Sequence, residues 1–209
     1  MTQSEPILKP ISIADLRPTQ MTVGLREVEE KRRQWRELAE THGPEFLGRH
    51  MVPTVLGPKG RHYVLDHHHL VRALFDEGVK EVLATVEADL SALQKTSFWV
   101  YLDNRAWCHP YDDTGKRRDF DAVPGSIAEL KDDPYRSLAG ELRRAGGFAK
   151  DTTPFSEFLW ADFLRARIKP KAVAKDFKSA LRKSLTLAKT KEAGYLPGWC
   201  GPNPIGEAA

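Results

Sequence analysis

His62-Tyr63-Val64-Leu65-Asp66-His67-His68-His69-Leu70-Val71-Arg72-Ala73-Leu74-Phe75-Asp76-Glu77-Gly78 is the stretch that decides the fold. The residues up to Asp66 read as a strand. His67 to Glu77 then puts Leu70, Ala73 and Leu74 on one helical face, and Gly78 supplies a stop. A helix fed directly by a strand presents unpaired N–H groups at the positive end of its dipole, where an anion is held well. Asp66 is placed to cap it. Three successive imidazoles cannot share one face, because neighbouring helical residues diverge by about 100°. One or two of them can lean over the helix end. That allows His67, His68 or His69 to serve as general acid or base, with Arg72 holding charge. It equally allows two histidines and Asp66 to ligate a divalent metal. The plain alternative makes Asp66 an N-cap and the histidines polar surface.

Working outward, Met51 to Leu56 reads as a strand, and Gly57-Pro58-Lys59-Gly60 turns it back into the strand before Asp66, predicting a hairpin. Ile11 to Leu16 alternates apolar and polar residues as a half-buried strand does, and Arg17-Pro18-Thr19-Gln20 ends it. Val23 to about Thr41 is charged, with Val28, Trp35 and Leu38 at roughly helical spacing and Gly43-Pro44 as its stop. Val82 to Val86 is a further strand. This succession predicts an α+β unit over residues 1–90, a small mixed sheet with helices. Residues 91–209 read as a mainly helical lobe, with helices over Ser91–Arg105, Ser126–Leu130, from Pro134, over Ser156–Ile168 and over Lys171–Lys189. Between them lies the loop Trp107–Pro124 with its acidic turn Tyr111–Gly115, and a Pro/Gly-rich tail begins at Pro197.

Hydrophobic residues make up 41% and charged residues 29% of the 209, which excludes a disordered chain. Cys108 and Cys200 stand far apart and outside any CxxC pair, so a disulfide framework is not expected and a reducing compartment is. Met1 to Pro6 lacks the basic start and apolar run of a signal peptide, and no stretch reaches membrane-spanning length. A cytoplasmic location follows as an expectation. The net charge of +3 is uneven, because Arg165 to Lys191 carries ten cations against Asp176 alone. Clustered cations release counterions from phosphates, so Lys171, Lys175, Lys178, Arg182 and Lys183 are candidate nucleic-acid contacts. The competing reading is a solvated helix face.

The run Val64-Leu65-Asp66-His67-His68-His69-Leu70-Val71-Arg72-Ala73-Leu74 resembles the box of ParB-type domains, in which a strand runs into Gly-Glu-Arg-Arg, one residue and Arg-Ala. It is still more similar to the Asp-Gly-His-His-Arg version of ParB-like small-molecule kinases. Pro18-Thr19-Gln20 and Val52-Pro53-Thr54-Val55 fit the elements before the box, so the resemblance to the ParB/sulfiredoxin-like superfamily covers roughly residues 8–90. With Asp132 to Gly140 and Phe158 to Phe163 added, the longer pattern resembles the ParB-like nuclease family over most of the chain.

In that alignment of motifs His67 replaces the Gly, His68 the Glu used in nucleotide hydrolysis, His69 the first Arg and Leu70 the second. Arg72-Ala73 keeps the last Arg-Ala. Losing that Glu and Arg argues against a CTP switch, and no Cys lies beside the box as the sulfiredoxin branch requires. The resemblance implies that Thr19, Gln20 and Gly24 approach the histidine turn, and that Glu27 stands where the kinases place a base. Arg136 and Ser137, in the first turn of a helix, are candidate phosphate contacts. The leading expectation is a nuclease that hydrolyses DNA phosphodiester bonds at Asp66, His67, His68, His69 and Glu27, with phosphate held by Thr19, Gln20 and Arg72. The alternatives are a nucleotide-dependent phosphotransferase acting on a phosphorylated small molecule, and a non-catalytic DNA-binding module.

Overall fold

The computed structural model describes residues 9–42 and 51–202. The readings placed on Met1–Pro6 and on Gly43-Pro44 lie outside the described residues. Five strands form one sheet in the order β1-β6-β4-β5-β2. They are β1 (Lys9–Ser12), β2 (Arg17–Pro18), β4 (Val52–Gly57), β5 (Arg61–Val64) and β6 (Glu81–Asp89). β3 (Thr22–Val23) pairs in parallel with β7 (Lys131–Asp132) in a separate two-stranded ribbon.

β1 and β2 occupy opposite edges of the five-stranded sheet, yet only residues 13–16 join them. Four residues span about 14 Å at most, so the sheet must curl until its edges approach. The predicted strand over Ile11–Leu16 is accordingly split, and Ile13–Asp15 forms a 3₁₀ turn between the edges. The hairpin is as expected, with Thr54 to Gly57 antiparallel to Arg61 to Val64. Lys59 and Gly60 take φ of 64° and 66° at its tip.

α1 (Leu25–His42) and α2 (His68–Asp76) pack on this sheet. Val28 of α1 and Val71, Ala73 and Leu74 of α2 join Ile13, Leu16, Val52, Val64 and Val82 in one buried cluster. Each fully buried Val, Leu or Ile among them contributes about 1.5–3 kcal/mol. The exposed side of α1 is tied by carboxylate–guanidinium pairs at helical spacing, Arg32–Glu29, Arg33–Glu30 and Arg33–Glu37. Arg32 and Arg36 also reach Glu77 at the end of α2.

The chain divides into compact units at Met1–Asp132 and Asp133–Ala209, forty-two residues beyond the boundary expected at residue 90. The reason lies in α3 (Lys95–Asn104). Its Phe98, Trp99 and Leu102 cluster with Val55 and Cys108, against Tyr63 of the hairpin. That apolar face is completed by the sheet, so α3 and the loop after it belong to the first unit. Cys108 is core, and burial pushes its thiol up to about 12.

The second unit contains α4 (Pro134–Arg144), α5 (Ser156–Arg165), α6 (Pro170–Lys175) and α7 (Phe177–Ala188). Leu138, Leu142, Phe148, Trp160, Phe163, Leu164, Val173 and Ala180 form its core. Phe148 stacks on Trp160 with ring centroids 4.3 Å apart. The single helix expected over Lys171–Lys189 is two. Asp176 breaks it and caps α7, its carboxylate accepting the Ser179 N–H at 2.9 Å. Asp side chains favour this terminal role over a helix interior. Among the described residues no helix is long and apolar enough to cross a membrane.

Candidate phosphate site at the start of α2

β5 ends at Val64 and α2 begins at His68, so the chain reverses within three residues. His67 makes that possible by taking φ 67° and ψ 22°. This left-handed geometry costs an L-residue about 1–2 kcal/mol and is free for glycine. Its N–H is taken by Asp66 Oδ1 at 2.6 Å. Asp66 therefore closes the turn and leaves the helix without a side-chain cap. Both Asp66 and His67 are exposed.

The next two histidines turn inward. His68 is buried, and its Nε2 accepts the Thr19 N–H at 3.2 Å. The Thr19 hydroxyl donates instead to the Val64 carbonyl at 2.7 Å. Burial holds the His68 imidazole near pKa 3, so it is neutral, and an accepting Nε2 places its proton on Nδ1. His69 Nε2 accepts the Gly24 N–H at 2.9 Å and lies 3.7 Å from Glu27 Oε2. Gly24 immediately precedes α1, so His69 satisfies one donor at that helix start. The adjacent Leu25 N–H donates to Asp132 Oδ1 at 2.8 Å. Two helix N-termini therefore meet around His69 and Glu27.

This convergence brings Thr19 to His68, and Gly24 and Glu27 to His69, while Asp66 and His67 stand exposed at the turn before them. Gln20 is buried beside them, but its side-chain amide donates to the Thr22 carbonyl at 2.7 Å. Arg72 faces elsewhere. Its Nε bonds both oxygens of Asp76, and its Nη1 donates to the Ala128 and Leu130 carbonyls at 3.0 and 2.9 Å. Those carbonyls belong to the 3₁₀ turn Ile127–Glu129 and the residue that ends it, so Arg72 clamps this turn to α2. Asp132 reaches Leu25 through the β3–β7 pairing, for which a two-residue strand leaves no periodic signal in the sequence.

Among the described residues no three His, Cys, Asp or Glu side chains converge to hold a metal. The outward turn at His67 separates Asp66 from the inward imidazoles, whose Nε2 atoms already accept backbone N–H groups. The expected His–His–Asp66 ligand set does not assemble.

In the second unit, Asp133 caps α4 by accepting the Tyr135 N–H at 2.9 Å and pairs with Arg165 at 2.5 Å. Arg136 is mostly buried, 5.4 Å from the Phe158 ring centroid and 4.0 Å from Glu157 Oε2. Arg143 reaches the other oxygen of Glu157. Ser137 is buried in the same turn. Lys171, Lys175, Lys178, Arg182 and Lys183 are all exposed on α6 and α7.

Residues 9–166 match the family described as "Putative ParB-like nuclease". The chain belongs to this family. The match ends short of α6 and α7. No curated protein shows significant similarity to it. Protein Atu1540 from Agrobacterium tumefaciens, known from a crystal structure, is 52% identical, with a TM-score of 0.89 over 94% of this chain and 98% of that one. The C-terminally truncated chromosome-partitioning protein ParB from Caulobacter crescentus, crystallised with the centromeric parS site, is 15% identical with a TM-score of 0.30, over 87% of this chain and 98% of that one. The architecture of this family member is mixed α+β, with a curled sheet carrying the histidine turn.

Proposed function

We propose that this ParB-like protein binds the backbone of nucleic acid through α6 and α7. The observation that carries this reading is the unpaired state of the cations there. Among the described residues no carboxylate pairs with Lys171, Lys175, Lys178, Arg182 or Lys183, whereas the arginines of α1 are laced to glutamates. Lys178 and Arg182 stand at i,i+4, where like charges destabilise a helix by about 0.2–0.5 kcal/mol. Exposed repulsion of this kind is relieved by phosphates, which bind with release of counterions. Binding of a fluorescently labelled DNA duplex, followed by anisotropy over a range of salt, tests the proposal. Affinity must fall steeply with salt, and alanine at Lys171, Lys175, Lys178 and Arg182 must abolish it. Retention of wild-type affinity in that variant rejects the assignment.

A second reading, phosphodiester hydrolysis, is favoured by the turn at which exposed Asp66 and His67 lead into His68 and the His69–Glu27 contact. His67 is the exposed imidazole of the three and so the one a substrate can reach, while His68 holds the turn in place. Cleavage of supercoiled plasmid with and without divalent metal tests this reading. Cutting that is unchanged in both His67→Ala and Glu27→Gln removes the corner from the mechanism, and binding without cutting in the wild type leaves the non-catalytic module.

A further inference from the structure

The curled sheet is left open along one seam. β1 is an edge strand, paired to β6. β2 covers only Tyr63 and Val64 of β5, so among the described residues no strand pairs with that edge of β5 along Arg61 and His62. A cavity of about 460 Å³ lies between these two edges, with Pro10, Ser12, Asp15, Arg17, Arg61 and His62 on its walls. All of it belongs to the first unit. It sits at the end of β5 opposite to the histidine turn.

The backbone of β1 shows what the seam admits. The Ile13 N–H donates to the Lys80 carbonyl at 2.9 Å. Hydrogen-bonded pairs alternate along an antiparallel ladder, so Ile11 bonds Val82 while Pro10 and Ser12 point their backbone groups away from β6. The Ser12 N–H and carbonyl therefore face the seam. Pro10 offers no N–H, which interrupts any ladder that an added strand would need. The seam is closed to a peptide strand and open to a small solute.

Arg17 pairs with Tyr63, and Arg61 precedes Tyr63 by two residues on β5, so both arginines project from one face of the sheet. Strand spacing and rise put their Cα atoms roughly 8 Å apart. Arg17 Nη1 donates to the Gly125 carbonyl, which holds the side chain without neutralising it. Among the described residues no carboxylate pairs with either guanidinium, whereas Arg32, Arg33 and Arg36 of α1 are all held by glutamates. Asp15 also lines the cavity, exposed and outside ion-pair reach of both. The wall thus carries two cations against one carboxylate. Like charges this close repel, and an anion between them removes that cost.

We propose that this seam binds a compact dianion, its oxygens bridging Arg17 and Arg61, with the Ser12 N–H as a further donor. A guanidinium presents paired N–H groups that match two oxygens side by side, as in a carboxylate or a phosphate. The cavity has the volume of a small-molecule site. A dicarboxylate and a phosphate monoester share this chemistry, and the experiment separates them. The assignment is independent of the α6–α7 reading, since none of its residues lies on those helices.

Calorimetric titrations of the full chain with succinate and glycerol phosphate, and with acetate as the monoanion control, test it. One dianion should bind saturably, at least about ten-fold tighter than acetate, the scale of one added charge-assisted contact. Preference for succinate assigns a dicarboxylate, and preference for glycerol phosphate a phosphate ester. Arg61→Ala, an exposed change that breaks no ion pair among the described residues, should weaken binding about ten-fold at an unchanged melting temperature. Asp15→Asn should tighten it, because a negative charge leaves the wall. Alanine at Lys175, Lys178 and Arg182 should leave it unmoved. No saturable binding of either dianion, an affinity unchanged in Arg61→Ala, or binding lost with the α6–α7 cations overturns the proposal.

Discussion

His69 and Glu27 lie forty-two residues apart in sequence and 3.7 Å apart in space, with Gly24 N–H on the same imidazole nitrogen. That nitrogen sits between a donor and a carboxylate. Accepting from Gly24, His69 satisfies a donor at the start of α1. The contact binds the two helices of the sheet face at their N-terminal ends and makes the candidate corner a structural joint as well.

Stability should fall with acid through His68. Its folded pKa, near 3, lies below the unfolded value of about 6.5. The unfolded chain therefore binds more protons between those values. The contribution of neutral His68 is complete above about pH 6.5 and is lost as pH falls toward 3, with a slope approaching 1.4 kcal/mol per pH unit. Urea denaturation at several pH values measures this. His68→Phe should be less stable at neutral pH, because the Thr19 N–H loses its acceptor, and should show a shallower slope. An unaltered slope would assign the acid sensitivity to other groups.

His67→Gly should stabilise the fold by up to about 1 kcal/mol, because glycine accepts the left-handed turn without steric cost. His67→Val should destabilise it by more than that. If the corner hydrolyses phosphodiesters, His67→Gly will raise the melting temperature and abolish cutting together.

Arg72→Lys should destabilise by about 2–3 kcal/mol, since one ammonium cannot replace a guanidinium shared between a carboxylate and backbone carbonyls. Chemical denaturation gives the value. Phosphate affinity in the same variant should be unchanged, and a selective loss of phosphate binding at full stability would return Arg72 to the anion site.

Asp112→Ala should loosen the Trp107–Pro124 loop at a cost of about 2–3 kcal/mol, because donors that met one carboxylate lose their acceptor. Its folded pKa is depressed, so the stabilisation is present above the unfolded pKa of about 3.9 and is lost below it as the group protonates. Hydrogen exchange at Thr114 and Lys116, whose N–H groups it accepts, should accelerate in the variant.

Much of the fold could be read from local pattern. Gly57-Pro58-Lys59-Gly60 announced its hairpin, Gly78 its helix stop and Asp133-Pro134 the start of α4, because each needs only its neighbours. Asp176 shows the limit. Both its cationic surroundings and the apolar stripe of Val173, Phe177 and Ala180 fit one long helix, yet the break came from a side chain bonding three residues ahead.

What the sequence determined by itself is the strand-to-helix turn at residues 64–70 and the crowding of cations after residue 165, since backbone preference and charge are properties of the local chain. Only tertiary structure decided that His68 and His69 face inward while His67 faces out, that Arg72 serves carbonyls, and that α3 belongs with the sheet. Those outcomes depend on which buried donor each side chain meets. Such partners lie tens of residues away, and desolvation makes leaving them unpaired too costly for the chain to settle otherwise.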